Sequence, residues 1–189
     1  MTNLAEARST QSGNLPEAGV YTMDVTHSTV SFVARHLVAA KVRGQFLDFA
    51  GTITIGDTVQ TSSVEATVKG ASITTNNEMR DNHIKSADFL DLENFPTLSF
   101  KSTKVTPKGS DYELTGDLTI RGVTKSVTFA LEFLGAGPST TPGAVAVGFE
   151  ARAEIDRRDF NVNFEGVLEN GSIVVGNKIV LELAVEAHK

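Results

Sequence analysis

From Val20 to the C-terminus the chain alternates apolar and polar residues with a period of two, the mark of half-buried β-strands. The clearest run sets Tyr112, Leu114, Gly116, Leu118 and Ile120 on one face and Glu113, Thr115, Asp117, Thr119 and Arg121 on the other. Gly122 turns this run into a second one carrying Val123, Val127, Phe129, Leu131 and Phe133. Further runs hold Tyr21, Met23 and Val25; Val30, Phe32 and Ala34; Val64 to Val68; and Leu98 and Phe100. Val145 to Ile155, with Phe149, and Ile179, Leu181, Leu183 and Val185 complete the set. Leu37 to Ala40 reads as a short helical turn. Val42 to Ile55 reads as one strand with Gly44 and Gly51 as bend or bulge points, about 45 Å long at ~3.3 Å per residue. About eight antiparallel strands result, with no α/β repeat, and the fold class is all-β.

Strands of this number and length form a sandwich or a closed barrel. Closure removes exposed edges, and an eight-stranded barrel is wide enough to be filled by side chains or to hold one small ligand. The long central strand favours an elongated barrel, and the missing Cys and Trp disfavour an immunoglobulin domain. Phe32, Phe46, Phe100, Phe129, Phe133 and Phe149 all fall on apolar faces, together with Leu114, Leu118, Leu131, Leu181 and Leu183. Singly, each suits a solid core. Jointly, they suit the wall of a tunnel for an apolar chain.

The alternation breaks once, between Thr74 and Pro96. Met79, His83, Ile84, Ala87 and Leu90 recur three to four apart, which predicts one or two short amphipathic helices. Arg80, Asp81 and His83 cluster there, with His36 placed near the barrel mouth. Two readings stay open: a hydrogen-bonded network pinning the helix to the barrel, or contact with a ligand's head group.

Length, 189 residues, fits one domain over 20–189 behind a disordered tail over 1–19. A net charge of −6 without a basic stripe argues against nucleic acid. Without cysteine there is no disulfide, thiolate nucleophile or zinc-thiolate site. Residues 1–19 show no basic n-region or apolar h-region, so a cytoplasmic location is expected unless a leader has been removed. No run has the length of a transmembrane helix. His27, His36 and His83, even with Asp81, match no common metal spacing, so neither metal nor cofactor is expected. The cations of the Arg121–Lys125 turn read as solvated. No nucleophile elbow, paired-carboxylate motif or phosphate-cradling loop is present.

Several blocks, in order, resemble the YceI family of lipid-binding proteins. They are Y-T-M-D-V-T-H-S-T-V-S-F-V-A-R-H (Tyr21–His36), V-R-G-Q-F-L-D-F-A-G-T-I (Val42–Ile53) and A-S-I-T-T-N-N-E-M-R-D-N-H-I (Ala71–Ile84). S-A-D-F-L-D-L-E-N-F-P (Ser86–Pro96), G-D-L-T-I-R-G-V-T-K (Gly116–Lys125) and R-R-D-F (Arg157–Phe160) follow. The resemblance implies a lipocalin-like barrel that holds a polyisoprenoid or similar amphiphile, small helices at the D-F-L-D region, and a homodimer. One departure is Asn161, where the family usually has Gly; Asn tolerates positive φ better than most residues. The expected function is binding, not catalysis. The ligand would be a polyprenyl phosphate, isoprenoid quinone or fatty amide or acid, for carriage, storage or stress response. The alternatives are an enzyme using Asp81 and His83 on a lipid head, or a ligand-free packed barrel.

Overall fold

The computed structural model describes residues 15–37, 40–140, 143–166 and 174–189. Its strands are β1 (Gly19–Met23), β2 (Thr29–His36), β3 (Ala40–Phe46), β4 (Phe49–Ile55), β5 (Ser63–Lys69) and β6 (Ile73–Thr74). After the helix α1 (Glu78–Lys85) come β7 (Thr97–Lys108), β8 (Asp111–Ile120), β9 (Val123–Pro138), β10 (Val145–Asp156) and β11 (Val175–His188). They form a closed, eight-stranded antiparallel barrel. Three of its staves are broken: β1 and β2 follow one another along β11, β3 continues into β4, and β5 into β6.

The breaks lie side by side. Asp24–Ser28 separates β1 from β2, Leu47–Asp48 separates β3 from β4, and Gly70–Ser72 separates β5 from β6. Backbone bonds tie two of them together, Lys69 N donating to Asp48 O at 2.9 Å and Leu47 N to Ser72 O at 3.2 Å. This belt corrects the reading of Val42–Ile55 as one strand. The inward positions are even before it (Val42, Gly44, Phe46) and odd after it (Phe49, Gly51, Ile53, Ile55), so the chain must slip at Leu47–Asp48 to keep its apolar face inside. Gly44 is not a bend. It lies opposite Phe32 in the ladder, and a Cβ there would meet the Phe32 ring at 2.3 Å, so the glycine makes room for the ring.

Leu37–Ala40 is not helical as far as it is described: Leu37 is a turn residue with φ 47° and Ala40 already begins β3, while Val38 and Ala39 lie outside the described residues. Of the expected tail, residues 1–14 also lie outside them. Leu15 and the buried Pro16 reach the barrel lumen, and Gly19 opens β1. Around the other staves the alternation folds as written, with Tyr112, Leu114, Leu118 and Ile120 buried along β8. The β8–β9 hairpin turns through Arg121 (φ 49°) and Gly122 (φ 71°), the two left-handed residues of a type I′ turn.

One α-helix forms in the Thr74–Pro96 segment. Asn77 has extended backbone and its side chain accepts from Arg80 N at 3.0 Å, an N-cap that starts α1. Beyond Ser86 the chain closes into turns through Leu90 N to Ile84 O (3.0 Å) and Phe95 N to Asp91 O (2.9 Å), rather than a second helix. The segment caps the end of the barrel where β6, after two residues, stops pairing.

Candidate functional site: a two-compartment lumen

The inward faces enclose two adjoining cavities, one on each side of the belt. The inner one, about 180 Å³, is lined by Phe100, Leu114, Leu118, Phe129, Leu131, Phe133, Phe149, Leu183 and residues of β1, β4 and β5. The outer one, about 530 Å³, lies under α1 and is lined by Ala34, His36, Val42, Arg80, His83, Phe89, Arg157 and Phe160 among others. Phe32, Phe46, Leu98, Ile120 and Leu181 line both and form the waist between them. Thus each Phe and Leu singled out in the sequence has a place on the lumen wall. The rings meet in pairs: Phe100 stands edge-on to Phe129 at 5.3 Å, Phe133 tilts on Phe149 at 5.2 Å, and Phe32 tilts on Phe46 at 6.0 Å on neighbouring strands of the waist.

Polarity is confined to particular points. No charged residue lines the inner compartment, and its one buried polar anomaly is the Tyr112 hydroxyl, which has no hydrogen-bond partner among the described residues. Burial pushes the Tyr112 phenol up from its ordinary value, with Asp111 adding to the effect. In the outer compartment the charged lining residues are Arg80 and Arg157, joined by His36 and His83, while Arg35, between the inward Ala34 and His36, turns its exposed side chain to the outer face of β2. No carboxylate lines either compartment among the described residues.

Arg157 was not anticipated as a site residue. It is 5% exposed, and its guanidinium donates to Val162 O (2.5 Å), Gly176 O (3.2 Å) and Val175 O (3.3 Å). Burial draws its pKa down, and no carboxylate among the described residues bonds it directly. The signal was present in the period-two pattern: Val147, Phe149, Ala151, Ala153 and Ile155 point inward, and Arg157 is the next odd position. Asn161, after the 3-10 turn of Arg157–Phe160, takes the left-handed conformation (φ 58°) that the residue there must adopt.

The polar residues near α1 separate into two groups. Asp81, buried, accepts from Thr75 N (2.8 Å) and Thr75 Oγ1 (2.5 Å); Arg80 Nε in turn donates to Thr75 Oγ1 (2.7 Å) and Arg80 Nη2 to Thr75 O (2.9 Å). Burial works to raise the Asp81 carboxyl, but the Thr75 bonds outweigh it and hold the group below the usual carboxylate range. His83 faces elsewhere. Its Nε2 donates to Asp88 Oδ2 at 2.8 Å, and its ring stands edge-on to Phe89 and Phe164, each at 5.0 Å. The pairing of His83 with Asp81 as base and orienter is therefore absent. His36 Nδ1 donates to Val174 O at 3.0 Å on the outer wall. Arg121 corrects another expectation: its Nη1 bridges Phe89 O and Asn161 O, both at 2.9 Å, instead of standing solvated.

His27 lies apart from His36 and His83. It joins Asp24, Glu186 and His188 where the barrel closes. The His27 imidazole holds the Asp24 carboxyl well below the carboxylate range, and Asp24 raises His27 in return.

The profile of the YceI-like domain matches residues 21–187. The chain belongs to the YceI-like family. A UPF0312 protein of Staphylococcus aureus (strain N315) is 34% identical over 168 residues, spanning 88% of this chain and 95% of its own. Among solved YceI-like structures, the Campylobacter jejuni YCEI protein superposes with TM-score 0.70 at 28% identity, over 82% of this chain and 89% of that one. Burkholderia cenocepacia BcnA gives TM-score 0.75 at 23% identity, over 87% and 98%. A polyisoprenoid binding domain from Saccharophagus degradans gives 0.64 at 14%, over 88% and 97%; these last two likenesses speak for the fold.

Proposed function

We propose that the barrel binds one long-chain amphiphile, its apolar tail in the inner compartment and its head beside Arg80 and Arg157. The observation that carries this reading is the distribution of charge along the lumen: none on the inner wall, cations only on the outer one. An outer cavity of about 530 Å³ lies in the size range of small-molecule sites. Each five-carbon unit buried in such a wall contributes up to ~3–4 kcal/mol gross, before the cost of association and ordering. Apolar walls discriminate poorly between tails differing by a methylene, so selectivity rests on chain length and the head. A phosphate or carboxylate head matches the cations better than a quinone or amide. The polyisoprenoid binding domain of Saccharophagus degradans, which shares the fold, favours an isoprenoid tail.

The separate partners of Asp81 and His83, Thr75 and Asp88, support a binding role over catalysis by that pair, and carriage, storage or stress response is part of the same proposal. A homodimer belongs to the same proposal. Mass spectrometry of the purified protein, native and after solvent extraction, tests it. One prenyl or acyl lipid per chain supports it. An empty protein that also rejects polyprenyl phosphates and fatty acids overturns it.

A further inference from the structure

The barrel closes at its shortest seam. β1 meets β11 only at Thr22 opposite His188 and Met23 opposite Ala187, after which the chain leaves the ladder at Asp24 and returns to β11 at Thr29. Four donor side chains straddle that seam. Asp24 and His27 come from the break in the first stave. Glu186 and His188 stand two apart on β11, on the face opposite the inward Val185 and the buried Ala187.

Their ligand atoms all lie within 4.8 Å of one another. Asp24 Oδ2 is 2.8 Å from His27 Nδ1 and 3.0 Å from His188 Nε2, and His188 Nε2 is 3.2 Å from Glu186 Oε1. A tetrahedral zinc ion with bonds of about 2.0–2.1 Å sets its ligand atoms about 3.3 Å apart, so these spacings need little adjustment. Two carboxylates also match the charge of one divalent ion. Among the described residues, the ion pairs of Asp24 and Glu186 are with these histidines and not with any Lys or Arg.

The scaffold holds the donors in place. Asp24 Oδ1 accepts from Thr26 N (2.7 Å), which turns Oδ2 toward both imidazoles. Asp24 N donates to Glu186 O (2.8 Å), while Ser28 Oγ donates to Glu186 O (3.1 Å) and accepts from Glu186 N (3.0 Å), fastening the break to β11. Exposure is graded: His188 and Asp24 are mostly covered, with side chains 25% and 21% exposed, while His27, at 58%, forms the open side through which an ion enters.

We propose that Asp24, His27, Glu186 and His188 form a binding site for one first-row divalent metal ion, zinc by its ligand set, that rivets the closing seam of the barrel. Two imidazoles select against magnesium and calcium, which take all-oxygen shells. The site is of moderate strength. His188 Nδ1 is buried without a partner among the described residues, and coordination through Nε2 requires a hydrogen there, which weakens binding by roughly one to two orders of magnitude relative to a histidine with an oriented second shell. This departs from the sequence expectation of no metal, which weighed His27 only with His36, His83 and Asp81.

Titration calorimetry of the chelator-treated full chain with zinc chloride tests the site. One equivalent is expected, with Kd on the order of 1–10 μM. At a hundredfold excess over Kd, zinc raises Tm by roughly 5–10 °C. His27→Ala, whose exposed side chain can be removed without unfolding the barrel, weakens binding at least tenfold and removes most of the Tm rise. Asp24→Asn does the same, and cobalt in place of zinc gives the intense visible bands of a four-coordinate ion in the unmutated chain only. No binding up to 1 mM zinc overturns the proposal. So does a Kd unchanged in His27→Ala and Asp24→Asn but lost in His36→Gln with His83→Gln, which assigns the ion to the outer compartment.

Discussion

The Asp81 carboxylate takes two hydrogen bonds from a single residue, Thr75, through its N–H at 2.8 Å and its hydroxyl at 2.5 Å. Because Thr75 follows β6 and Asp81 lies in α1, the pair fixes the helix over the outer mouth. Asp81→Ala leaves a buried N–H and hydroxyl to seek other partners, and a loss of about 2–4 kcal/mol is expected. Chemical denaturation measures it directly.

The same pair sets an acid limb of stability. Asp81 is held below its ordinary value of 3.8 in the fold, and Asp156, bonded by the Arg158 side chain, down to about 2. The unfolded chain therefore binds protons first as pH drops. The stabilisation is fully present above about pH 4 and is lost as pH falls through the folded values, toward 2 for Asp156. Denaturation midpoints followed from pH 6 to pH 2 are expected to fall, and Asp81→Asn to fall less steeply over that window.

Ala151 lines the inner compartment and is 9% exposed. Ala151→Phe places a ring in that space at a cost of about 1–3 kcal/mol in overpacking. The longest chain retained should shorten, as read by native mass spectrometry of the variant after exposure to a ladder of prenyl lengths.

Tyr112→Phe removes a buried hydroxyl that has no partner among the described residues. Stability is expected to rise by about 1 kcal/mol, or roughly 2–4 °C in Tm. A fall in stability would mean that the hydroxyl is satisfied in solution.

Where a stave is regular, the sequence carried its structure in plain form. Leu114, Leu118, Phe129, Phe133 and Phe149 could be assigned to the lumen wall because each sits in an unbroken period of two. The belt was harder, since Leu47 and Asp48 are ordinary strand residues and only the shift of inward parity from Phe46 to Phe49 betrays the slip. Arg157 follows the inward parity of β10 and was overlooked because a buried arginine is rare unless paired; its partners are backbone carbonyls, which no sequence pattern encodes. The partners of His27 lie 159 and 161 positions away in the chain, at Glu186 and His188. Only closure of the barrel brings them together.

Reloading tests the central claim most directly. The chain is stripped of lipid in organic solvent, refolded, and offered polyprenyl phosphates of graded length from micelles, with uptake counted by native mass spectrometry. The charge distribution along the lumen predicts one phosphate-headed chain per barrel, retained in preference to its dephosphorylated counterpart. A refolded barrel that takes up neither would contradict a lipid-binding lumen.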